Sequence, residues 1–290
     1  MSTDDRNFRS AYYERVGCRG VEERKSLDIL LKEKPLNRSK LKQFCLSFSV
    51  PACYRNSLWN ILLDIAPVYI DCHEFVMAQR RQVYDDLYNA LKVMNIITEQ
   101  TPIPIVFYAM WLLENKQLRL GLNINNRCNF TIIIDALQET FDDKIDLYWI
   151  AKGFYKCTLG IASEFSQLKE LSYKLLEKEN PKIHKHLDDN NLLDTLPMEQ
   201  WFSTCYAGVL SNQSLIRIWD KICGGSRKIV AFVFVTLFDR LWRTTKLSNV
   251  YQVPEILTII DNLKCNQESV DHIIQQSIEL WQGNKEEIMK

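Results

Sequence analysis

From Lys228 to Leu241 the chain carries Ile229, Val230, Phe232, Val233, Phe234, Val235, Leu237 and Phe238, so a helix built on these residues is apolar on almost every side. Such a helix cannot face water. It has to be wrapped by other helices, and this requirement constrains the architecture before any motif is considered. Its length is short for a bilayer span, and Arg227, Lys228, Asp239 and Arg240 bracket it. The residues ahead of it supply two further helices. Trp201, Cys205 and Val209 recur at steps of four, with Phe202 beside them, and predict a helix from Met198. Ser211 or Asn212 then offers a capping oxygen to a helix presenting Leu215, Ile218, Trp219 and Ile222, which Gly224 and Gly225 end. Three consecutive helices from Met198 to Trp242 are therefore the expected hydrophobic centre.

Helical periodicity extends through most of the remaining chain, and alternating strand-like runs are scarce. The expected fold class is all-α. Leu27, Leu30 and Leu31 mark a short first helix, and Asn37 caps a second that presents Leu41, Phe44, Cys45 and Phe48. Ser49 and Pro51 start a third, with Arg55 and Trp59 one turn apart and Leu58, Leu62 and Ile65 on its buried side. A long helix between His73 and Ile97 carries two apolar stripes. Val76, Val83, Leu87, Leu91 and Met94 read as its core face; Met77, Tyr84 and Tyr88, a quarter-turn away, either widen that core or form an exposed seam for a partner helix. Pro102 and Pro104 interrupt the pattern, Asn123 to Asn129 is a polar loop, and Phe130 to Phe141 is apolar and helical. Two amphipathic helices follow residue 242, one with Ile256, Leu257, Ile260 and Leu263, the other with Val270, Ile273, Ile274, Ile278 and Trp281.

With 290 residues, 47% of them hydrophobic, the chain can bury a large core, and its formal net charge of zero lacks the basic footprint of a nucleic-acid binder. The nine cysteines are odd in number and never form a Cys-x-x-Cys pair, so they read as reduced thiols rather than as a disulfide framework or zinc knuckle. His184 and His186 have no ligand partners at metal-binding spacing. No metal or cofactor is expected. No signal peptide, lipidation signal or transmembrane segment is read, which predicts a cytoplasmic protein.

Several motifs fall in a known order. Trp201-Phe202, Leu210, the run from Leu215 through Arg217-Ile218-Trp219-Asp220 to Ile222, a glycine pair and then the apolar helix resemble the C-terminal half of the TBC domain, the fold of Rab GTPase-activating proteins. Arg55-x-x-x-Trp59 resembles the first motif of that family, Asp146 through Ile150 its central Glu-x-x-Phe-Trp helix, and Pro181-x-Ile183-x-x-His186-Leu187 the stretch that follows. The resemblance implies a multi-helical domain with N-terminal and C-terminal helical lobes over residues 21–290, preceded by an extension over 1–20. It assigns Arg55, Trp59, Trp219 and Asp220 to structural roles. Asp220 is the candidate anion for Arg55, because a buried guanidinium needs one.

The family's catalysts stimulate GTP hydrolysis with an arginine in Ile-x-x-Asp-x-x-Arg and a glutamine in Tyr-x-Gln. The cation stabilises charge on the transferring phosphoryl group, and the amide orients the attacking water. Here the matching run Val83-Tyr84-Asp85-Asp86-Leu87-Tyr88-Asn89 puts neutral Asn89 where the arginine belongs, and no Tyr-x-Gln occurs anywhere. An arginine finger contributes on the order of 10³ to 10⁵ in rate, so its loss predicts a chain without catalytic residues of the usual kind. Arg80, Arg81, Arg119 and Arg127 are out of frame. The run Asn7-Phe8-Arg9-Ser10 through Lys25-Ser26-Leu27, Ala90-Leu91-Lys92-Val93 after the missing arginine, and Trp219-Asp220-Lys221 with Gly225-Ser226 and Lys228-Ile229 resemble, within the family, a subgroup described as the third subunit of the tuberous sclerosis complex. There the subunit binds the C-terminal coiled coil of hamartin, while tuberin activates the GTPase Rheb and restrains TOR signalling. That resemblance implies a scaffold with hamartin, and tuberin through the complex, as partners, and the seam Met77, Tyr84 and Tyr88 is the expected contact. Against it stands an active Rab GTPase-activating protein using another arginine.

Overall fold

The computed structural model describes residues 21–119, 123–124, 127–245 and 247–284; the extension read over 1–20 lies outside the described residues. Among the described residues there are fifteen α-helices and no strand. The all-α class expected from periodicity is what the chain adopts. No described helix is long and apolar enough to cross a membrane. The chain divides into two compact units, one comprising residues through Lys156 together with Cys223–Gly225, the other Cys157–Ile222 with Ser226–Lys290.

The first unit holds α1 (Val21–Leu30), α2 (Arg38–Ser47), α3 (Ala52–Leu62), α4 (His73–Val93), α5 (Ile103–Glu114), α6 (Asn129–Leu137) and the start of α7 (Lys144–Ser163). Its helix starts follow local chemistry. The Asn37 side chain accepts the Lys40 amide at 3.1 Å and caps α2, where Leu41, Phe44 and Cys45 are buried. Pro51 stands one residue earlier than a first-turn proline, as the N-cap of α3, with φ −64°. At the head of α6 the Thr131 hydroxyl takes the Cys128 amide at 3.0 Å. The core of this unit is aromatic. Trp59 of α3 stacks on Phe154 with ring centres 5.6 Å apart and meets Phe141 at 5.5 Å.

The second unit holds the rest of α7, then α8 (Phe165–Glu179), α9 (Pro181–Asp189), α10 (Leu192–Thr195), α11 (Met198–Ser203), most of α12 (Asn212–Cys223), α13 (Ile229–Thr244), α14 (Val253–Lys264) and α15 (Gln267–Gly283). Helix α13 is the all-round apolar segment. Every residue from Ile229 to Phe238 is buried, and α8, α9 and α15 pack around it. Its one buried polar side chain there, Thr236, shares a 2.6 Å hydrogen bond with Ser277 of α15 and also reaches the Phe232 carbonyl at 3.1 Å, so its hydroxyl is satisfied.

The helix read from Met198 through Val209 needs correction. It ends at Ser203, because Cys205 and Tyr206 adopt left-handed φ of 49° and 64°. Two consecutive non-glycine residues in that region cost about 1–2 kcal/mol each unless neighbouring groups hold them there. Here the Trp219 indole donates to the Cys205 carbonyl at 3.0 Å, and the Tyr206 hydroxyl donates to the Val230 carbonyl at 3.0 Å. The four-residue step of Trp201, Cys205 and Val209 arises from a tight turn that buries the first two of these side chains.

Candidate functional site

Helix α4 carries Met77, Tyr84, Tyr88 and Asn89, and its rotation decides what each of them faces. Tyr84 is 9% exposed. Its ring stands edge-on to Phe107 at 6.0 Å and to Tyr148 at 5.8 Å and stacks parallel with Tyr88 at 6.4 Å. Burial, with smaller contributions from Tyr88, Asp85 and Asp143, pushes the Tyr84 phenol up to about 12. Tyr148 is driven higher still by burial and by Glu114, which accepts its hydroxyl at 3.0 Å. Leu91 is fully buried on the same side of α4.

This overturns the surface role expected for Tyr84. The stripe of Met77, Tyr84 and Tyr88 lies toward the core, with Met77 and Tyr88 half-buried at its margins, whereas Val83, read as core, is 41% exposed. The two stripes lie about a quarter-turn apart, and the buried face falls between them: Leu91 of the first stripe and Tyr84 of the second, whose ring meets those of α5 and α7 edge-on, are its buried residues. Unpartnered apolar surface on α4 instead runs along Phe75, 69% exposed, Val83, Val93, 82% exposed, and Met94, 46% exposed. Phe75 and Val93 are five turns apart and share one azimuth, with Val83 and Met94 rotated by about a quarter-turn.

Asn89 lies on the exposed side of α4. Its carboxamide is neutral, at the position where the resemblance would put the arginine. Of the out-of-frame arginines, Arg80 is committed to structure. Its guanidinium lies 4.4 Å from the Trp149 ring centre and donates to the Ile65 and Asp64 carbonyls, each at 3.3 Å, while the Trp149 indole donates to the Arg80 carbonyl at 3.2 Å. Arg81, Arg119 and Arg127 are exposed.

Trp59 and Trp219 are fully buried anchors of their respective units. Arg55 is buried in the first unit and donates to the Val50 carbonyl at 3.0 Å; Asp220 is buried in the second, on α12, beside buried Lys221. Arg217, half-buried, donates to the Gln275 side chain of α15. His186 is engaged by the Val250 carbonyl at 2.9 Å and by the rings of Trp242 and Tyr251, and among the described residues no group of three or more His, Cys, Asp or Glu could hold a metal ion. None of the eight described cysteines is in a disulfide, and burial pushes the Cys205 thiol up.

The Rab-GTPase-TBC domain family matches residues 140–247, the segment that contains α13 and the Trp219-Asp220 turn. The chain is 38% identical over 290 residues to TBC1 domain family member 7 of Xenopus tropicalis, spanning 97% of this chain and 96% of that protein. Against TBC1 domain family member 7 of Homo sapiens it is 36% identical over 280 residues, spanning 95% and 94%. The chain belongs to the TBC domain family. Solved TBC structures share its fold at low identity. The Ypt/Rab-GAP domain of Gyp1p superposes with a TM-score of 0.62 at 14% identity, over 91% of this chain and 98% of that one. The Chlamydomonas flagellar RabGAP TBC domain gives 0.59, also at 14% identity, over 89% and 95%. Asn89 is an exposed, neutral side chain on α4.

Proposed function

We propose that this chain is a non-catalytic TBC-domain scaffold that binds the hamartin coiled coil within the tuberous sclerosis complex. It supports the action of tuberin on Rheb and so the restraint of TOR signalling from the cytoplasm, reaching lysosomal or vesicle surfaces only through its partners. The observation that carries the absence of catalysis is Asn89, because no rotamer of a carboxamide delivers positive charge to a transferring phosphoryl group. The near full-length likeness to proteins named TBC1 domain family member 7 supports placing it beside that subgroup.

The contact proposed for the coiled coil is the exposed flank of α4, with Phe75, Val83, Val93 and Met94 as anchors. Phe75 and Val93 are about 27 Å apart along the helix, a length over which a partner helix makes repeated knob contacts. Met77 and Tyr88 border this flank on its core side; Tyr84 is no part of it. Charged substitutions at Phe75 and Val93 leave the fold intact and abolish co-purification of a hamartin coiled-coil fragment. Undiminished binding by the double variant excludes this flank.

The competing reading is an active Rab GTPase-activating protein, favoured by the Rab-GTPase-TBC family match and by the exposure of Arg81, Arg119 and Arg127. Single-turnover GTP hydrolysis over a panel of Rabs decides between them. Acceleration that disappears on replacing one of these arginines establishes the enzyme; no acceleration supports the scaffold.

A further inference from the structure

A second feature of the first unit lies beside the Arg80-Trp149 stack. Leu63, Asp64, Ile65, Arg80, Trp149, Lys152, Gly153 and Lys156 enclose a cavity of about 170 Å³ that is partly open to solvent. Trp149, Lys152, Gly153 and Lys156 fall on one face of α7, at steps of three and four. Gly153 lets the chain approach closely: a Cβ placed there would come 2.8 Å from the Leu63 Cβ. The indole is a wall shared by two cations, with the Arg80 guanidinium 4.4 Å and the Lys152 ammonium 4.7 Å from its ring centre.

The charge at this cavity does not balance. Lys152 is matched by Glu114, whose Oε1 it reaches at 2.5 Å, and Asp64 is matched by Arg38. Arg80 donates only to carbonyl oxygens, and Lys156 is exposed with no carboxylate partner among the described residues. Arg38, Arg80, Lys152 and Lys156 thus face the two carboxylates of Asp64 and Glu114, leaving two positive charges unmatched. Of the five N–H donors of a guanidinium, Arg80 spends two on the Ile65 and Asp64 carbonyls.

We infer that this cavity binds the dianionic head of a phosphate monoester. Two unmatched cations suit a double negative charge, and the remaining Arg80 donors with the Lys156 ammonium supply charge-assisted hydrogen bonds to its oxygens. The cavity accommodates a phosphate group and leaves the rest of the ligand outside. The same head occurs on soluble phosphorylated metabolites and on phosphorylated inositol lipids.

The test uses the full chain with ¹⁵N-labelled indoles, the Trp149 signal being assigned by its loss in Trp149→Phe. Glycerol 3-phosphate added at constant ionic strength shifts that signal in a saturable manner, and chloride or acetate at the same ionic strength does not. Lys156→Glu weakens the affinity by about tenfold or more, as expected for losing a hydrogen bond to a charged group, and Lys156→Gln falls between the two. Lys182→Glu, on exposed surface of the second unit, binds as the unaltered chain does. A parallel arm measures sedimentation with phosphatidylcholine vesicles containing phosphatidylinositol 4-phosphate or, at matched charge, phosphatidylserine. Binding only to the former, lost in Lys156→Glu, supports the same head group and assigns its source to a lipid. The inference is overturned if neither glycerol 3-phosphate nor the phosphoinositide vesicles bind, if acetate acts equally, or if Lys156→Glu changes nothing.

Discussion

The rotation of α4 can be tested by pairing two adjacent truncations, Tyr84→Ala and Val83→Ala. Tyr84 is 9% exposed and packs against the rings of Phe107, Tyr148 and Tyr88. Removing a buried aromatic ring costs about 3–5 kcal/mol from lost transfer energy and the cavity left behind. Val83 is 41% exposed, so the two methyl groups deleted by alanine were only partly withdrawn from water. At about 0.8 kcal/mol for each fully buried group, that change costs about 1 kcal/mol. Urea unfolding followed by circular dichroism, with midpoint and slope fitted separately, measures both. In thermal melts the difference amounts to roughly 10 °C against roughly 3 °C for a unit of this size. A Val83→Ala cost equal to or above that of Tyr84→Ala would refute the assignment of faces, and with it the exposed flank proposed for the coiled coil. The same arithmetic rules out a charged residue at Tyr84 as a probe of partner binding, since that variant loses the fold first.

Gly153→Ala destabilises by about 1 kcal/mol, because crowding against the Leu63 Cβ outweighs the gain in helix propensity, whereas Gly283→Ala, with nothing within 4 Å, stabilises by up to about 1 kcal/mol. Denaturant midpoints measured on both variants together check the sign of each. Stability falls as pH rises above 10: the unfolded Tyr84 phenol ionises near 10 while the folded one keeps its proton to about 12, so between these values the unfolded state binds fewer protons. The loss from Tyr84 reaches about 2 kcal/mol by pH 12, Tyr148 adds to it in the same direction, and Tyr84→Phe makes the alkaline limb shallower in melts taken from pH 8 to 12. Trp219→Phe leaves the Cys205 carbonyl without its indole donor and costs about 1–3 kcal/mol, read by the same unfolding assay, with the left-handed turn at Cys205 and Tyr206 the first structure to loosen.

Capping and turn chemistry act within four or five residues, and these were legible. Asn37 before α2 and Gly225 at φ +108° after α12 each do locally what their side chain or lack of one allows. The short α11 was not legible, because the bonds that hold Cys205 and Tyr206 left-handed come from Trp219 and Val230, fourteen and twenty-four residues on. The Trp149 cavity was half visible. Lys152 and Lys156 stand one turn apart beyond Trp149, but nothing local indicated that Arg80 and the Leu63–Ile65 turn would close around them.

By itself the sequence determined that the chain is helical, that α13 must be enclosed on all sides, and that no arginine stands at position 89. Periodicity and side-chain charge are properties of the residues in order, and no packing can alter them. Only the tertiary structure decided which residues of the two stripes of α4 turned inward, since Val83 and Tyr84 are adjacent and both apolar enough to be buried. The outcome depended on rings from α5 and α7 that meet Tyr84 edge-on, contacts that exist only after the chain has folded.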